Sequence, residues 1–267
     1  AERVGAGAAE HAENLIHRIA SLGVCFNRIM FCYGILFCFR EGCQADAACG
    51  YVLPLAFWLV TTMQTSDLLE RCYPGNRAQM KRAILGQALD CFNAQGIEAT
   101  TIEMIRVACE TSVGAIYHHF GNKEGLVAAL FFTALDDQAS LRERYLAQAS
   151  TAQEGVYALV HSYVDWVDSQ PEWARFQFHA RFAVTKGPLK DELVARNKSR
   201  NRQLLEWLAA PGRGDELQRV PAELMPSLII GQAESYCRAW LSGRVQSSPK
   251  TYRDVLAEAA WRSIGGE

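Results

Sequence analysis

The sequence has no feature that would place it among membrane-spanning, strongly basic or β-rich proteins. Its formal net charge is only −2, so neither sign dominates. The apolar runs at 29–39 and 51–60 are each shorter than the roughly 20 residues needed to span a bilayer, and we expect no membrane partner. Alternating apolar and polar residues extend over no useful length, whereas helical spacing recurs along most of the chain after residue 77. The sequence therefore predicts an all-α fold.

The sequence also lacks a metal-binding cysteine motif. Six of the nine cysteines precede residue 77, but none forms a C-x-x-C pair and no histidine stands at zinc spacing. The adjacent His118 and His119 diverge on a helix, so they do not form a metal site. The other three cysteines lie on predicted helices among apolar neighbours, which is typical of packed thiols in a reducing compartment. We expect a cytoplasmic protein with no metal and no cofactor.

Catalytic motifs are missing as well. The chain has no sequence pattern of a Ser-His-Asp catalytic triad, no paired-carboxylate motif and no phosphate-binding loop. His161, His179 and Asp165 are the only candidates, and they fall on two separate predicted helices. We therefore expect that the protein is not an enzyme.

The stretch from 100 to 126 predicts two short helices joined by a tight turn, followed by the start of a third. Thr100 and Glu103 have the spacing of a capping box, so we expect the first helix to begin at Thr100. Ser112 is the expected N-cap of the second helix, in which Ile116 and Phe120 face inward. Just upstream, an amphipathic pattern over 77–93 predicts a longer helix that ends before Gly96. Three helices with this turn indicate a helix-turn-helix DNA reader.

These residues resemble the TetR family of bacterial transcriptional repressors. The matching positions show no insertion or deletion, and they are Ile84, Leu85, Ala88, Phe92, Gly96, Thr101, Ile105, Ser112, Gly114, Tyr117, His119, Phe120, Lys123 and Leu126. The chain departs from the family in the turn, where Cys109, Glu110 and Thr111 replace the usual Ala-Gly-Val, and at Arg106, which replaces a small alanine. The resemblance implies a DNA-binding domain at 77–126 and a helical ligand-sensing and dimerisation domain at 127–267.

The resemblance also implies which residues contact DNA. The expected set is Thr101, Ser112, Val113, Gly114, Ala115, Tyr117, His118, His119 and Lys123. Thr101, Tyr117, His119 and Lys123 match phosphate-contacting positions, whereas Val113, Gly114 and Ala115 occupy the base-facing start of the recognition helix. Because Val113 and Ala115 carry no hydrogen-bonding side-chain group, we expect part of the specificity to come from DNA shape. Residues 77–126 hold five basic and five acidic residues, which predicts modest nonspecific affinity.

The first 76 residues lie outside this resemblance. We expect them to form an N-terminal extension that is not part of the native regulator, with Met63 fitting a natural start better than Met80. The alternative is a genuine appendage, either a helical hairpin or a membrane-associated segment.

The rest of the chain predicts five further helices after the one that begins at residue 123. Their expected ranges are 151–170, 171–184, 189–209, 221–242 and 249–264, with a loop at Pro211–Gly214. The resemblance implies that the last two helices pair with those of a second subunit. Small residues that would permit this approach are Gly231, Ala233, Ala239, Ala259 and Ala260, with Trp240 and Trp261 as anchors. The alternative is that these residues only bury the domain's own core.

A ligand pocket is expected among the aromatic residues of the central helices. The predicted ligand-binding residues are Tyr163, Trp166, Phe178, His179 and Phe182, with Arg181 nearby. Aromatic stripes at helical spacing also occur in ordinary cores, so the core alternative stays open at each position. The effector's identity does not follow from the sequence.

Taken with the resemblance, these features predict a dimeric transcriptional regulator, and more specifically a repressor. It would bind a palindromic operator in double-stranded DNA and be released when a small molecule changes the spacing of the two recognition helices. The alternative is a protein-interaction adaptor with a degenerate DNA-binding module, as the neutral DNA domain and the turn residue Glu110 would allow.

Overall fold

The computed structural model describes residues 67–208, 220–221 and 223–264, all within one compact unit. Every regular element in these ranges is helical, which confirms the all-α prediction. The α-helices are α1 (Gln79–Gln95), α2 (Ile102–Ala108), α3 (Val113–Phe120), α4 (Lys123–Leu146), α5 (Ala152–Ser169), α6 (Pro171–Lys186), α7 (Lys190–Leu208), α8 (Met225–Leu241) and α9 (Arg253–Ser263). Two 3₁₀ turns, Asn76–Ala78 and Pro249–Tyr252, precede α1 and α9.

Several sequence predictions lie outside the described residues. These are the extension up to Met63 with its two apolar runs, and the loop at Pro211–Gly214. Within the part of the chain that the structure describes, none of the helices is both long and apolar enough to cross a membrane.

The first three helices form the predicted three-helix unit. Helix α1 buries one apolar face, made of Ile84, Leu85, Ala88, Leu89 and Phe92. The two short helices add Ile105 from α2 and Ile116 and Phe120 from α3 to the same core. Because two helices of seven and eight residues are marginal alone, this shared apolar contact is what holds them in place.

The start of α2 differs from the sequence prediction by one residue. Thr101, not Thr100, is the N-cap, and its hydroxyl accepts a hydrogen bond from the Met104 N–H at 3.2 Å. Thr100 is fully buried and donates its hydroxyl proton to the Gly96 carbonyl at 2.7 Å. The prediction of a Thr100–Glu103 capping box was therefore wrong, because the Thr100 hydroxyl already closes the loop between α1 and α2.

Helix α4 continues from the three-helix unit into the helical body. Its 24 residues correspond to a length of about 36 Å. Asn122 caps its start by accepting a hydrogen bond from the Gly125 N–H at 2.7 Å. The next helix, α5, begins at a capping box formed by Thr151 and Glu154, and Pro171 opens α6 as predicted.

A helical turn at 67–72 packs against α4 and joins the two parts of the molecule. Leu68 and Leu69 are buried in the common core. The Tyr73 hydroxyl lies 2.8 Å from the Thr133 hydroxyl, and Arg71 donates to the Asp137 carboxylate at 3.0 Å. Residues 67–73, which the sequence analysis placed in the N-terminal extension, are thus part of the folded body.

The last two helices bury some of the residues predicted at a dimer interface. Ala233, Ala260 and Trp261 are buried within the chain itself, so the core alternative is correct for these three. Gly231, Ala239, Trp240 and Ala259 are only partly buried. The 3₁₀ turn before α9 and α9 itself also present Tyr252 and Val255, which are 41% and 68% exposed.

Candidate nucleic-acid interface and ligand cavity

Helix α3 presents most of the predicted DNA-contacting residues on its solvent side. Ile116 and Phe120 point into the core, which turns the remaining positions outward. Gly114, Tyr117, His118 and His119 are exposed, whereas Val113 and Ala115 are partly exposed. With 47% of its surface accessible, Tyr117 is a surface residue and not a core aromatic.

Two hydroxyl groups mark the starts of the helices in this unit. Thr101 caps α2 and Ser112 caps α3, and each oxygen accepts a backbone N–H bond, from Met104 at 3.2 Å and from Ala115 at 3.1 Å. Both residues are exposed. A hydroxyl that accepts one bond keeps its proton, so each can still donate to a phosphate oxygen. The free N–H groups and dipole at a helix start favour an anion at the same place.

Lys123 lies at the first position of α4, beside the end of α3. Its ammonium donates to the Glu98 carbonyl at 3.1 Å, which fixes the direction of the side chain. An ammonium group has three protons, so this one bond leaves two for a phosphate. Lys123 is partly exposed and remains available for such a contact.

The turn between α2 and α3 holds a residue in the left-handed region. Glu110 has φ +50°, and it is the only non-glycine with positive φ among the described residues. Glycine reaches this conformation without strain, whereas other residues lose roughly 1–2 kcal/mol. The glutamate thus adopts the backbone that a glycine would favour.

Most basic side chains near this surface are engaged in internal contacts. Arg106 forms an ion pair with Glu103 at 2.7 Å, which lowers the pKa of Glu103. Arg82 donates to the carbonyls of Tyr73 and Gly75 at 2.7 and 2.8 Å. Glu103 balances the charge of Arg106, whereas Arg82 keeps its charge but is directed at backbone carbonyls.

A cavity of about 370 Å³ lies among α4, α5, α6, α7 and α8. Its walls are mainly apolar, with contributions from Leu135, Ala139, Val156, Leu159, Leu204, Trp207, Met225, Ile229 and Ile230. Polar groups also line it, namely Gln138, Arg142, Ser162, Tyr163, Arg181, Asn197, Asn201 and Glu234. An apolar cavity of this size with a few polar groups is typical of a small-molecule site.

Only one of the five predicted ligand-binding residues lines this cavity. Tyr163 does so, and burial holds the pKa of its hydroxyl well above the ordinary value. Trp166 is buried elsewhere and donates its indole N–H to Asp137 at 3.0 Å. Phe178 lies under the Arg238 guanidinium at 5.3 Å, His179 is exposed, and Phe182 is 71% exposed. A ligand contact at these four residues stays a prediction that the cavity does not support.

The sequence reasoning missed the polar residues that α4 contributes to the cavity. Leu135, Gln138, Ala139 and Arg142 follow the i, i+3, i+4, i+7 spacing of one helix face. An amide and a guanidinium interrupt this otherwise apolar stripe, and that interruption was the available signal.

The charges in the cavity are arranged at two places. Arg181 of α6 pairs with Glu234 of α8 at 3.1 Å, and Glu234 also pairs with Arg238 at 2.6 Å. Separately, Arg142 donates to the neutral amide oxygen of Asn201 at 3.4 Å. Burial lowers the pKa of Arg142, which means that its positive charge is poorly solvated there.

Comparison with known proteins agrees with this arrangement. Residues 84–130 match a family model described as bacterial regulatory proteins, tetR family. The transcriptional repressor AcnR of Corynebacterium glutamicum is 41% identical over 63 residues, covering 24% of this chain and 32% of AcnR. The transcriptional regulator BetI of Cronobacter sakazakii is 31% identical over 170 residues, covering 61% of this chain and 81% of BetI. The chain thus spans about a third of AcnR but most of BetI.

A solved structure has the same architecture. It is a TetR family transcription regulator from Marinobacter aquaeolei, with a TM-score of 0.60 and 21% identity, and the similarity covers 70% of this chain and 96% of that one. This likeness confirms the fold, a helix-turn-helix unit followed by an all-helical domain.

Proposed function

Because the chain belongs to the tetR family of bacterial regulatory proteins, we propose that it is a DNA-binding transcriptional repressor controlled by a small molecule. The observation that carries the proposal is the exposed surface of α3, flanked by the free hydroxyl protons of Thr101 and Ser112 and by Lys123. Helix α3 would enter the major groove while these three groups hold phosphates. The relative AcnR is named a transcriptional repressor, which supports repression rather than activation.

The repressor would act as a homodimer through its last two helices. Tyr252 and Val255 are exposed apolar or aromatic residues, and Tyr236 and Leu256 lie partly exposed beside them. A helix-turn-helix dimer binds two half-sites about one turn of DNA apart, so a palindromic operator follows from this arrangement. The uncharged residues Val113 and Ala115 leave direct base readout to methyl contacts, with the rest of the specificity coming from DNA shape.

Helix α4 provides the connection between the cavity and the DNA-binding unit. It carries Lys123 at one end and the cavity residues Gln138 and Arg142 further along. Thr133 and Asp137 lie on α4 between Lys123 and Gln138. They bond to Tyr73 and Arg71, in and just after the helical turn at 67–72 that precedes α1. A ligand that moves α4 would therefore move the recognition helices, and the dimer would no longer span both half-sites.

A gel-shift titration of the full chain against the DNA upstream of its own gene tests the proposal. The expected result is saturable binding to one fragment that weakens with salt, because phosphate contacts release counterions. Random DNA of equal length is the control. If the upstream fragments bind no better than random DNA at two salt concentrations, the hypothesis that the protein represses its own gene is ruled out. The protein-adaptor alternative is then favoured.

A further inference from the structure

We propose that Arg77, in the 3₁₀ turn before α1, binds a phosphate of the DNA backbone beside the groove that α3 enters, and that Lys81 of α1 binds next to it. This inference rests on the proposed function, because it adds a further anchoring point to the same DNA-binding surface. Neither residue belongs to the set of DNA contacts that the family resemblance implies. Because phosphate contacts carry no sequence information, the two residues would contribute affinity and orientation and not the choice of operator.

Arg77 is a free cation in a unit whose other two arginines are engaged. Arg106 pairs with Glu103 at 2.7 Å, and Arg82 donates to two backbone carbonyls. The side chain of Arg77 is exposed and has no hydrogen-bond or ion-pair partner among the described residues. A guanidinium group stays charged and presents a planar fork of donors that matches a phosphate. Arg77 therefore has both the charge and the donors for an anion outside the chain.

The start of α1 lies alongside α3. The Thr111 hydroxyl, directly before the α3 cap Ser112, donates a hydrogen bond to the Met80 sulfur at 3.6 Å. The Lys81 ammonium lies 5.9 Å from the centre of the Phe120 ring, at the other end of α3. The first turn of α1 thus approaches both ends of the recognition helix.

The position of Arg77 follows from this arrangement. Arg77 precedes Met80 by three residues and Lys81 by four, which are the separations of neighbours on one helix face. The 3₁₀ turn Asn76–Ala78 leads directly into α1, so the helical spacing continues across the junction. Arg77 is therefore the exposed continuation of the α1 face that borders α3.

Lys81 is held in place on the same face. Its ammonium lies 4.3 Å from the centre of the Tyr73 ring, which is the geometry of a cation–π contact. The contact with the ring leaves the charge without an ion pair, and an ammonium group has three protons to donate. Lys81 is partly exposed, so a phosphate oxygen can approach it beside Arg77.

An element that borders a recognition helix faces the sugar–phosphate chains of DNA. The major groove is about 12 Å wide and a helix with its side chains is about 10–12 Å across, so α3 would fill the groove. Residues beside α3 would then meet the backbone at the edge of the groove and not the bases. Arg77 and Lys81 stand at such an edge, which is why we assign them a phosphate.

Salt titrations of DNA binding with the full chain test this contact. Arg77→Gln should weaken binding to the promoter fragment and to random DNA by similar factors, and it should lower the slope of log affinity against log salt by about one. Arg77→Lys keeps the charge and should keep the wild-type slope. Because Arg77 has no partner among the described residues, neither substitution should disturb the fold, which circular dichroism checks. An unchanged slope with Arg77→Gln overturns the proposal.

Arg144→Gln is the matched control for the loss of one positive charge. Arg144 is an exposed arginine near the far end of α4, about 30 Å along the helix from Lys123. This distance exceeds the Debye length of about 8 Å at physiological ionic strength, so the slope should keep its wild-type value. An equal fall in slope with Arg144→Gln and Arg77→Gln would show an effect of net charge and contradict a contact at Arg77.

Neutral phosphate analogues separate a direct contact from a general electrostatic effect. Methylphosphonates replace the phosphates of the promoter fragment one at a time. At the phosphate that Arg77 binds, the replacement should weaken binding of the wild type but not of Arg77→Gln, in which the charge pair is already missing. If each replacement weakens both proteins by the same factor, Arg77 contacts no phosphate and the proposal is wrong.

The wild-type titration distinguishes failure of this inference from failure of the proposed function. Salt-dependent binding of the wild type together with an unaltered slope for Arg77→Gln refutes the contact and leaves the repressor hypothesis standing. If the wild type shows no salt-dependent binding to either DNA, the DNA-binding function is refuted and the contact with it.

Discussion

At the scale of single residues, Glu110 is an exposed, charged residue that adopts an unfavourable backbone conformation. Its φ of +50° costs roughly 1–2 kcal/mol, while glycine loses about 0.5–1 kcal/mol of chain entropy on folding. We therefore expect Glu110→Gly to raise the free energy of unfolding by about 0.5–1 kcal/mol, measured by urea denaturation. Glu110→Ala removes the charge but keeps the strain and should give no such gain. Equal gains from both variants would point to the charge instead of the backbone.

Lys123 is the residue at which a phosphate contact is best tested. Lys123→Ala should weaken binding to promoter and random DNA by similar factors, because a phosphate contact carries no sequence information. The slope of log affinity against log salt should fall by about one. Lys250→Ala is the control, since Lys250 is an exposed lysine in the 3₁₀ turn before α9. An unchanged slope with Lys123→Ala would remove this residue from the contact surface.

The residue scale is also where sequence reasoning was least exact. Ser112 was identified correctly as a cap, although Thr111 beside it also carries a hydroxyl, because Ser112 directly precedes the apolar residue that opens α3. Thr100 and Thr101 are adjacent and chemically identical, so local pattern does not decide between them. The Thr100 hydroxyl donates to the Gly96 carbonyl, so Thr101 is the residue that caps α2.

At the scale of helices, the junction of α3 and α4 depends on a close approach at Gly125. A Cβ atom at this position would overlap the Phe120 carbonyl oxygen at the end of α3. We expect Gly125→Ala to lower the free energy of unfolding by about 1–3 kcal/mol, as overpacking commonly does. Gly86→Ala is the matched control, because a Cβ in α1 would lie 3.7 Å from the Leu69 side chain, an ordinary van der Waals contact. The control should be neutral or stabilising by up to about 1 kcal/mol, and thermal denaturation compares the two.

The sequence predicted the long helices well because their signals are local. Apolar periodicity located α1, and Pro171 set the start of α6. The turn at 67–72 was missed, because it is short and is stabilised by partners about sixty residues away, Thr133 and Asp137. The cavity was missed for a similar reason, since five helices contribute its walls and no single stretch of sequence contains it.

At the scale of the whole molecule, the DNA-binding unit is attached to the helical body at two places besides the α3–α4 junction. Arg71 and Tyr73 hold it to α4. On the other side, Phe92 stacks on Phe176 with ring centroids 5.7 Å apart, and Asn93 donates to the Glu172 carbonyl at 3.0 Å. Contacts on two helices of the body tie the unit to both α4 and α6, so the ligand-driven movement of α4 that we propose would be transmitted to it.

Dimerisation through the last two helices can be tested by placing a charge on their exposed surface. Val255 lies on α9 with 68% of its surface exposed, and a glutamate there should be harmless to a monomer. In a dimer the same charge would be buried without a partner, which is strongly unfavourable. We therefore expect Val255→Glu to be monomeric by size-exclusion chromatography with light scattering and to lose operator binding. Val194→Glu, at a 58% exposed valine on α7, should remain dimeric. A dimeric Val255→Glu would place the subunit interface on another surface.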